Sequence, residues 1–333
     1  IEVITDTTVI ETTSEKVVTA VNRRGVLQYK AKAVMLAMGC RERTRGAISI
    51  PGFRPAGIYT AGVAQSYINL HNTMVGREVV ILGSGDIGMI MARRLTLEGA
   101  DVKAVFEVLP YPSGLQRNIE QCLNDYDIPL HLSHTVTRIH GRHRVEGVTV
   151  AKVDSKFCPI EGTEQFFRCD TLILSVGLIP ENELSIMAGV ALDRHTRGAY
   201  VDDSYQTNCP GIFAAGNVLH VHDLVDFVSI EAEEMADAAA TYILTGNVPA
   251  ADIAVAPGAN VGHVIPQRVS GHENFKLSLR VTQPMRDCTV SIAQEGNVII
   301  TKKLRKAIPS EMIQIEIPAD RIVPEKGIEV KTI

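Results

Sequence analysis

The junction at residues 78–88 constrains the fold of this chain more than any other stretch. Glu78-Val79-Val80-Ile81-Leu82 reads as a buried strand and runs directly into Gly83-Ser84-Gly85-Asp86-Ile87-Gly88. A helical pattern follows at once, with Ile87, Ile90, Met91 and Leu95 spaced to share one face. Gly99 ends that helix, and Val102 to Phe106 forms the next strand, closing on Glu107. The β-α-β unit takes about 30 residues, the usual size for a parallel crossover. A GxGxxG alone is weak evidence. One that leaves a strand, opens a helix and is answered by an acid at the end of the next strand is specific for a dinucleotide.

Each position has a physical reason. Gly83 permits the tight turn, Gly85 lets a diphosphate approach the backbone, and Gly88 lets the helix close on the strand. The N–H groups of the first helical turn, at Asp86 and Ile87, face the phosphates. Glu107 accepts hydrogen bonds from a ribose 2′-hydroxyl and repels a 2′-phosphate, and no Arg or Lys directly follows it. NADH is therefore the expected nucleotide, with NADPH less favoured.

The rest of the chain frames this unit. At 333 residues it suits two or three domains. A net charge of −5 gives no basic surface for nucleic acid or an anionic membrane. No apolar run reaches the roughly 18–20 residues that span a bilayer. The six cysteines, Cys40, Cys122, Cys158, Cys169, Cys209 and Cys288, form no CxxC or CxxxxC pair. That argues against structural zinc and against a redox disulfide here, and it fits reduced thiols in the cytoplasm.

Residues 1–40 read as short strands, with a strand-like run from Ile1 to Thr5, as if the chain began in mid-fold. Ala33 to Gly39 is a buried strand ending on glycine, and Cys40 to Gly62 is loop-like. Gln116 to Tyr126 reads as a helix, and Thr135–Ile139 with Val145–Val153 as an antiparallel meander. Asp170–Gly177 and Gly211–Asn217 are two further buried strands, and Ser229 to Leu244 is an alanine-rich helix stopped by Gly246. After a linker at 250–262, Leu277, Leu279 and Val281, then Val290 and Ile292, then Ile313, Ile315 and Ile317, alternate with polar residues. This predicts a small antiparallel β domain.

The order of these segments resembles the FAD-dependent pyridine nucleotide–disulfide oxidoreductases, which carry two dinucleotide-binding domains. In that family a strand ending Ala-Thr-Gly precedes an inserted NAD domain, and a late Thr-x-x-x-x-(Ile/Val)-Phe-Ala-x-Gly-Asp returns the chain to the flavin. Ala37-Met38-Gly39 is similar to the first, and Thr207 to Asn217, with Ile212-Phe213-Ala214-Ala215-Gly216-Asn217, to the second. Val176-Gly177-Leu178-Ile179-Pro180-Glu181-Asn182 is similar to the loop that closes the NAD domain. The resemblance covers roughly residues 1–250. Cys40-Arg41-Glu42-Arg43 and Gly62-x-x-Gln65 look more like the amine- and opine-dehydrogenase branch than like the reductases with a CxxC.

The resemblance implies an α/β fold with two nested Rossmann-like domains, the first incomplete, plus a small C-terminal β-rich domain. Residues 1–70 would be a partial FAD-binding domain, 71–180 the inserted NAD-binding domain, 181–250 the second FAD segment, and 257–333 the β domain. FAD would lie on Ala37, Gly39, Gly216 and Asn217, with Gly177 at the nucleotide. The family's first GxGxxG, which holds the FAD pyrophosphate, falls ahead of residue 1. Asn217 and Met38 stand where the family has Asp and Thr.

The implied reaction is hydride transfer between NADH and flavin, then to an acceptor, with a small-molecule substrate and a partner dehydrogenase subunit as expected partners. A helix N-terminus near Asp226–Ser229 would stabilise reduced flavin by roughly 1 kcal/mol. No residue earns a catalytic role from sequence. Cys40 reads as a small loop residue, with a redox thiol as the alternative. His131, His134, His140 and His143 read as a solvated hairpin rather than a metal set. His220, His222, Asp223 and Asp226 read as a surface loop, with substrate contact or proton transfer as the alternative. Arg41, Arg43 and Arg45 read as a solvated face. A non-catalytic nucleotide-binding or electron-relay subunit is the rival function, and a thiol–disulfide reductase with its cysteines upstream is a third.

Overall fold

The computed structural model describes all residues, 1–333. The chain divides into two compact units, one formed by Ile1–Arg41 with Pro180–Ile333 and the other by Glu42–Ile179.

The Glu42–Ile179 unit is built on a five-stranded sheet in the order Ile58–Thr60, Thr171–Leu174, Glu78–Leu82, Asp101–Glu107 and Leu130–Leu132. Every neighbouring pair is parallel. Alternation along the strands sorts the core into two layers. Val79, Ile81, Val105 and Ile173 face the helices Ala61–His71, Asp86–Leu97 and Gln116–Cys122. Val80, Leu82, Phe106, Leu172 and Leu174 face a three-stranded antiparallel sheet through Val136, Ile139, Val148 and Val150. The continuous apolar runs in the sequence reflect this two-sided burial.

The helix after Gly85 buries a face shifted from the expected one. Gly88, Met91, Ala92 and Leu95 are buried with Met89, while Ile87 and Ile90 stay exposed. Gly88 takes the place closest to the sheet, and that rotates the two isoleucines outward. The segment expected as one helix at Gln116–Tyr126 is a helix to Cys122 followed by a 3-10 turn, Asn124–Tyr126.

In the other unit, Thr8–Thr12, Val17–Asn22 and Gly25–Lys30 form an antiparallel sheet. Ile1 to Thr5 is not a strand and pairs with nothing, and its residues are exposed. Val34–Leu36 pairs in parallel with Ile212–Ala214. The long helix Val225–Thr245 packs on this pair through Met235 and Ala239 against Phe213, and Gly246 caps it in the left-handed conformation (φ 81°). This helix starts four residues before the expected Ser229.

The C-terminal region is β-rich. One sheet runs Arg268–Val269, Ile253–Pro257, Ile328–Thr332, Met285–Gln294, Asn297–Ala307; the other runs Val261–Ile265, Phe275–Val281, Ile313–Ile317. Leu277, Leu279 and Ile315 of one share a core with Val290, Ile292 and Val330 of the other. Pairing is antiparallel apart from Ile253–Pro257 with Ile328–Thr332. No helix is long and apolar enough to cross a membrane.

Candidate functional site

The glycine-rich turn lies at the C-terminal end of Glu78–Leu82, where a parallel sheet presents its ligand crevice. Gly83 sits at φ +99°, and a Cβ there would lie 2.0 Å from the Ser175 carbonyl oxygen. Gly88 is closed from both sides, by the Gly83 carbonyl oxygen and by Ser175 Cβ, each 2.7 Å from an added Cβ. Gly85 has the most space of the three, with Ser175 Oγ nearest at 3.3 Å. It is the N-cap of the helix Asp86–Leu97. The Gly88 N–H donates to Ser175 Oγ (3.1 Å) and the Gly83 N–H to the Phe106 carbonyl (2.7 Å). The N–H groups of Gly85, Asp86 and Ile87 meet no protein acceptor. Three unanswered donors over a turn open at Gly85 fit a diphosphate.

Glu107 is buried at the end of its strand, and the protein already occupies its carboxylate. Oε2 accepts from the Ser84 N–H (3.0 Å), Ser84 Oγ (2.6 Å) and Ser113 Oγ (2.8 Å); Oε1 accepts from the Leu109 N–H (3.0 Å). Two of these donors are hydroxyls, the group a ribose would offer. The Asp86 side chain does not face the turn's open side. Its Oδ1 accepts from the Leu115 N–H (2.8 Å) and Asn118 Nδ2 (2.6 Å), anchoring the next helix. Gly177 sits at φ +95° with no side chain closer than Arg43 at 4.0 Å, and its carbonyl accepts the Arg43 N–H (3.0 Å). Ser84, Ser113 and Ser175 carry much of this geometry, although serines in loops give no signal in sequence.

In the other unit, Ala37 and Gly39 leave the Val34–Leu36 strand, and Gly216 and Asn217 leave its partner Ile212–Ala214. Gly39 (φ +74°) has open space where a Cβ would be. Asn217 Oδ1 accepts the His222 N–H (3.0 Å), so the amide nitrogen is the group it offers outward, a donor suited to a hydroxyl. The open glycine backbone at Gly39 fits one side of a flavin dinucleotide, whereas Gly216 is buried with its N–H given to Glu231.

Beside them His220 and His222 converge on a residue that escaped notice in the sequence. Glu231 Oε2 lies 2.8 Å from His220 Nε2 and 3.3 Å from His222 Nε2, and Oε1 accepts the Gly216 N–H (2.6 Å). Burial pushes the Glu231 carboxyl up, but the hydrogen bonds from both histidines outweigh it and bring it to about 2. Burial lowers His220 against the pull of Glu231. Asp223 instead pairs with Arg280 (3.2 Å), and Asp226 is exposed.

The remaining candidates separate. Arg41 pairs with Glu181 and Glu183 (3.0 Å to the latter), and Arg45 binds the carbonyls of Ile50, Gly52 and Phe53. His131 stacks on Phe106 at 5.1 Å, while His140 bonds Thr149 (2.7 Å).

A family model described as pyridine nucleotide-disulphide oxidoreductase matches residues 1–258. The chain belongs to that family. Among curated relatives, it is 26% identical over 269 residues to the hydrogen cyanide synthase subunit HcnB of Pseudomonas protegens, covering 76% of this chain and 54% of HcnB. It is 25% identical over 261 residues to the NAD(P)H sulfur oxidoreductase (CoA-dependent) of Pyrococcus abyssi, covering 74% and 50%. The chain thus spans about half the length of these relatives. A solved FAD-dependent pyridine nucleotide-disulphide oxidoreductase from Desulfovibrio vulgaris superposes with a TM-score of 0.55 at 21% identity, covering 93% of this chain and 77% of that one. This pyridine nucleotide-disulphide oxidoreductase fold is shared with FAD- and nucleotide-binding enzymes, and the C-terminal β-rich region extends past the matched family segment.

Proposed function

We propose that this chain is the NADH-binding part of a flavin-dependent oxidoreductase that moves a hydride between nicotinamide and FAD and then passes electrons to a small-molecule acceptor. The observation that carries the reading is the turn at Gly83–Gly88, with three unanswered N–H donors beside the carboxylate of Glu107. Gly85 admits the diphosphate, and the N–H groups of Gly85, Asp86 and Ile87 hold it. Glu107 takes the adenosine ribose by exchanging the Ser84 and Ser113 hydroxyls for those of the sugar. A 2′-phosphate at the same place would meet a buried carboxylate, which favours NADH over NADPH. When bound, the two cofactors supply the hydride chemistry. Ala37 and Gly39 present backbone to the flavin, Gly216 shapes the turn beside it at φ +75°, and the Asn217 amide donates to a flavin-side hydroxyl. The six free cysteines support a cytoplasmic location.

The test is anaerobic addition of NADH to the full-length, FAD-loaded protein. Bleaching of the flavin absorbance within the turnover time supports the reading, and a flavin that stays oxidised overturns it. A second reading, an electron-relay subunit, draws support from the similarity to a protein named as a synthase subunit. It predicts flavin reduction without turnover on any small acceptor until a partner chain is added.

A further inference from the structure

We propose that His220, His222 and Glu231 form a binding site for one divalent transition-metal ion of the zinc class. One ligand atom from each of the three residues lies within 4.8 Å of the other two. Metal–ligand bonds of about 2.0–2.1 Å in a tetrahedron put ligand atoms about 3.3–3.5 Å apart. The His222–Glu231 edge, at 3.3 Å, already has that length, and the His220–Glu231 edge, at 2.8 Å, needs to open by a few tenths of an ångström.

Proton accounting supports a cation at the centre. Asn217 Oδ1 accepts the His222 backbone N–H (3.0 Å), which fixes that atom as the amide oxygen. The same oxygen lies 3.3 Å from His222 Nδ1, so Nδ1 carries the ring proton when it meets it. With Nδ1 so engaged, Nε2 is the ring atom left to face Glu231 Oε2 at 3.3 Å, and a metal ion would take the place of the shared proton and make ligands of both atoms. An outer carbonyl that fixes the tautomer is what a metal-bound histidine ordinarily has. Glu231 is held in the same way, because the Gly216 N–H on Oε1 keeps Oε2 turned to the rings.

Burial adds to the case. His220 is 2% exposed and Glu231 6%. The ligand atoms of Glu231 and His220 thus meet away from solvent, and the nearby Arg280 guanidinium is paired with Asp223 (3.2 Å). Two imidazoles and one carboxylate suit zinc and its neighbours rather than calcium or magnesium. Water would complete the coordination. The ion would tie the turn after the Ile212–Ala214 strand to the long helix.

The test is the metal content of the purified full-length protein after zinc loading and desalting, together with calorimetric titration of zinc chloride into the chelator-treated protein. The expected result is one zinc per chain. His220→Gln, His222→Gln and Glu231→Gln should each abolish that tight binding, while His131→Gln leaves it unchanged. Should the ligand variants fail to fold, Asn217→Ala decides, because it keeps all three ligands and should weaken zinc about 10–100-fold. A wild-type protein that takes up no zinc, or a stoichiometry unmoved by these changes and by Asn217→Ala, overturns the proposal.

Discussion

Ser84 Oγ donates to Glu107 Oε2 at 2.6 Å, and this bond joins the second residue of the glycine-rich turn to the last residue of the following strand. The turn and the acid at the strand end are thereby tied into one rigid object. Removing the hydroxyl with Ser84→Ala leaves Glu107 with the Ser84 and Leu109 N–H groups and Ser113 Oγ. The expected cost is about 1–2 kcal/mol of unfolding free energy, the value of one charge-assisted hydrogen bond in a buried setting. Urea titration of the variant against the parent measures it.

Gly83 and Gly85 should behave differently. At Gly83 an alanine must adopt φ +99° and meet a backbone oxygen at 2.0 Å, so Gly83→Ala should lose more than about 3 kcal/mol. At Gly85 the neighbour is a serine hydroxyl that can rotate, so Gly85→Ala should stay within about 1 kcal/mol of the parent. Its methyl group fills the approach of the diphosphate, however, and NADH binding should weaken about tenfold or more. Thermal melts and NADH titration of both variants separate folding from binding.

Asp202 predicts a pH signature. Burial pushes its carboxyl up to about 6, although the backbone N–H groups of Gln206 and Ser204 bond to it. Its folded-state value lies above the unfolded one, so its contribution to stability is full below about pH 4 and is lost as pH rises to about 6. Asp202→Asn keeps an acceptor for both N–H groups and removes the titration. The variant should gain on the parent across that window, reaching about 1–3 kcal/mol at its upper end. Unfolding free energies at a series of pH values check the sign.

Thiol chemistry should follow burial. Cys169 is buried and its thiol is pushed up to about 12 by desolvation and the neighbouring Asp170, whereas Cys158 is exposed. Iodoacetamide on the native protein should modify Cys158 readily and leave Cys169 intact until the fold opens. Peptide mass spectrometry after a timed quench reads both.

The parts of the fold that were legible in sequence are those where backbone geometry forces the residue. Gly83, Gly88 and Gly246 sit where only glycine fits or where a left-handed cap is needed, and the strands at 78–82 and 171–174 are apolar because both faces are covered. Less legible were features set by tertiary contact. Glu231 occupies a buried helix position in register with Met235 and Ala239, and only its histidine partners explain a carboxylate there. Asn297–Ala307 was not anticipated as a strand because it is an edge strand, rich in lysine and mostly exposed, and its pairing with Met285–Gln294 supplies what its pattern lacks. The run Ile1–Thr5 has strand composition but no neighbour to pair with, and composition alone does not make a sheet. Ser229, expected at the start of the long helix, lies one turn inside it with its hydroxyl on the Val225 carbonyl (3.2 Å), so any effect of the helix terminus belongs to Val225 and Asp226.

The central claim is that the 83–88 turn and Glu107 together bind NADH in preference to NADPH. Parallel calorimetric titrations of both nucleotides into the full-length protein and its Glu107→Gln variant test it most directly. The account predicts tighter NADH than NADPH binding in the parent, with the gap narrowed about tenfold in the variant, near the worth of one hydrogen bond to a charged group. Absence of heat with either nucleotide, or a preference for NADPH that the substitution leaves unchanged, would contradict it.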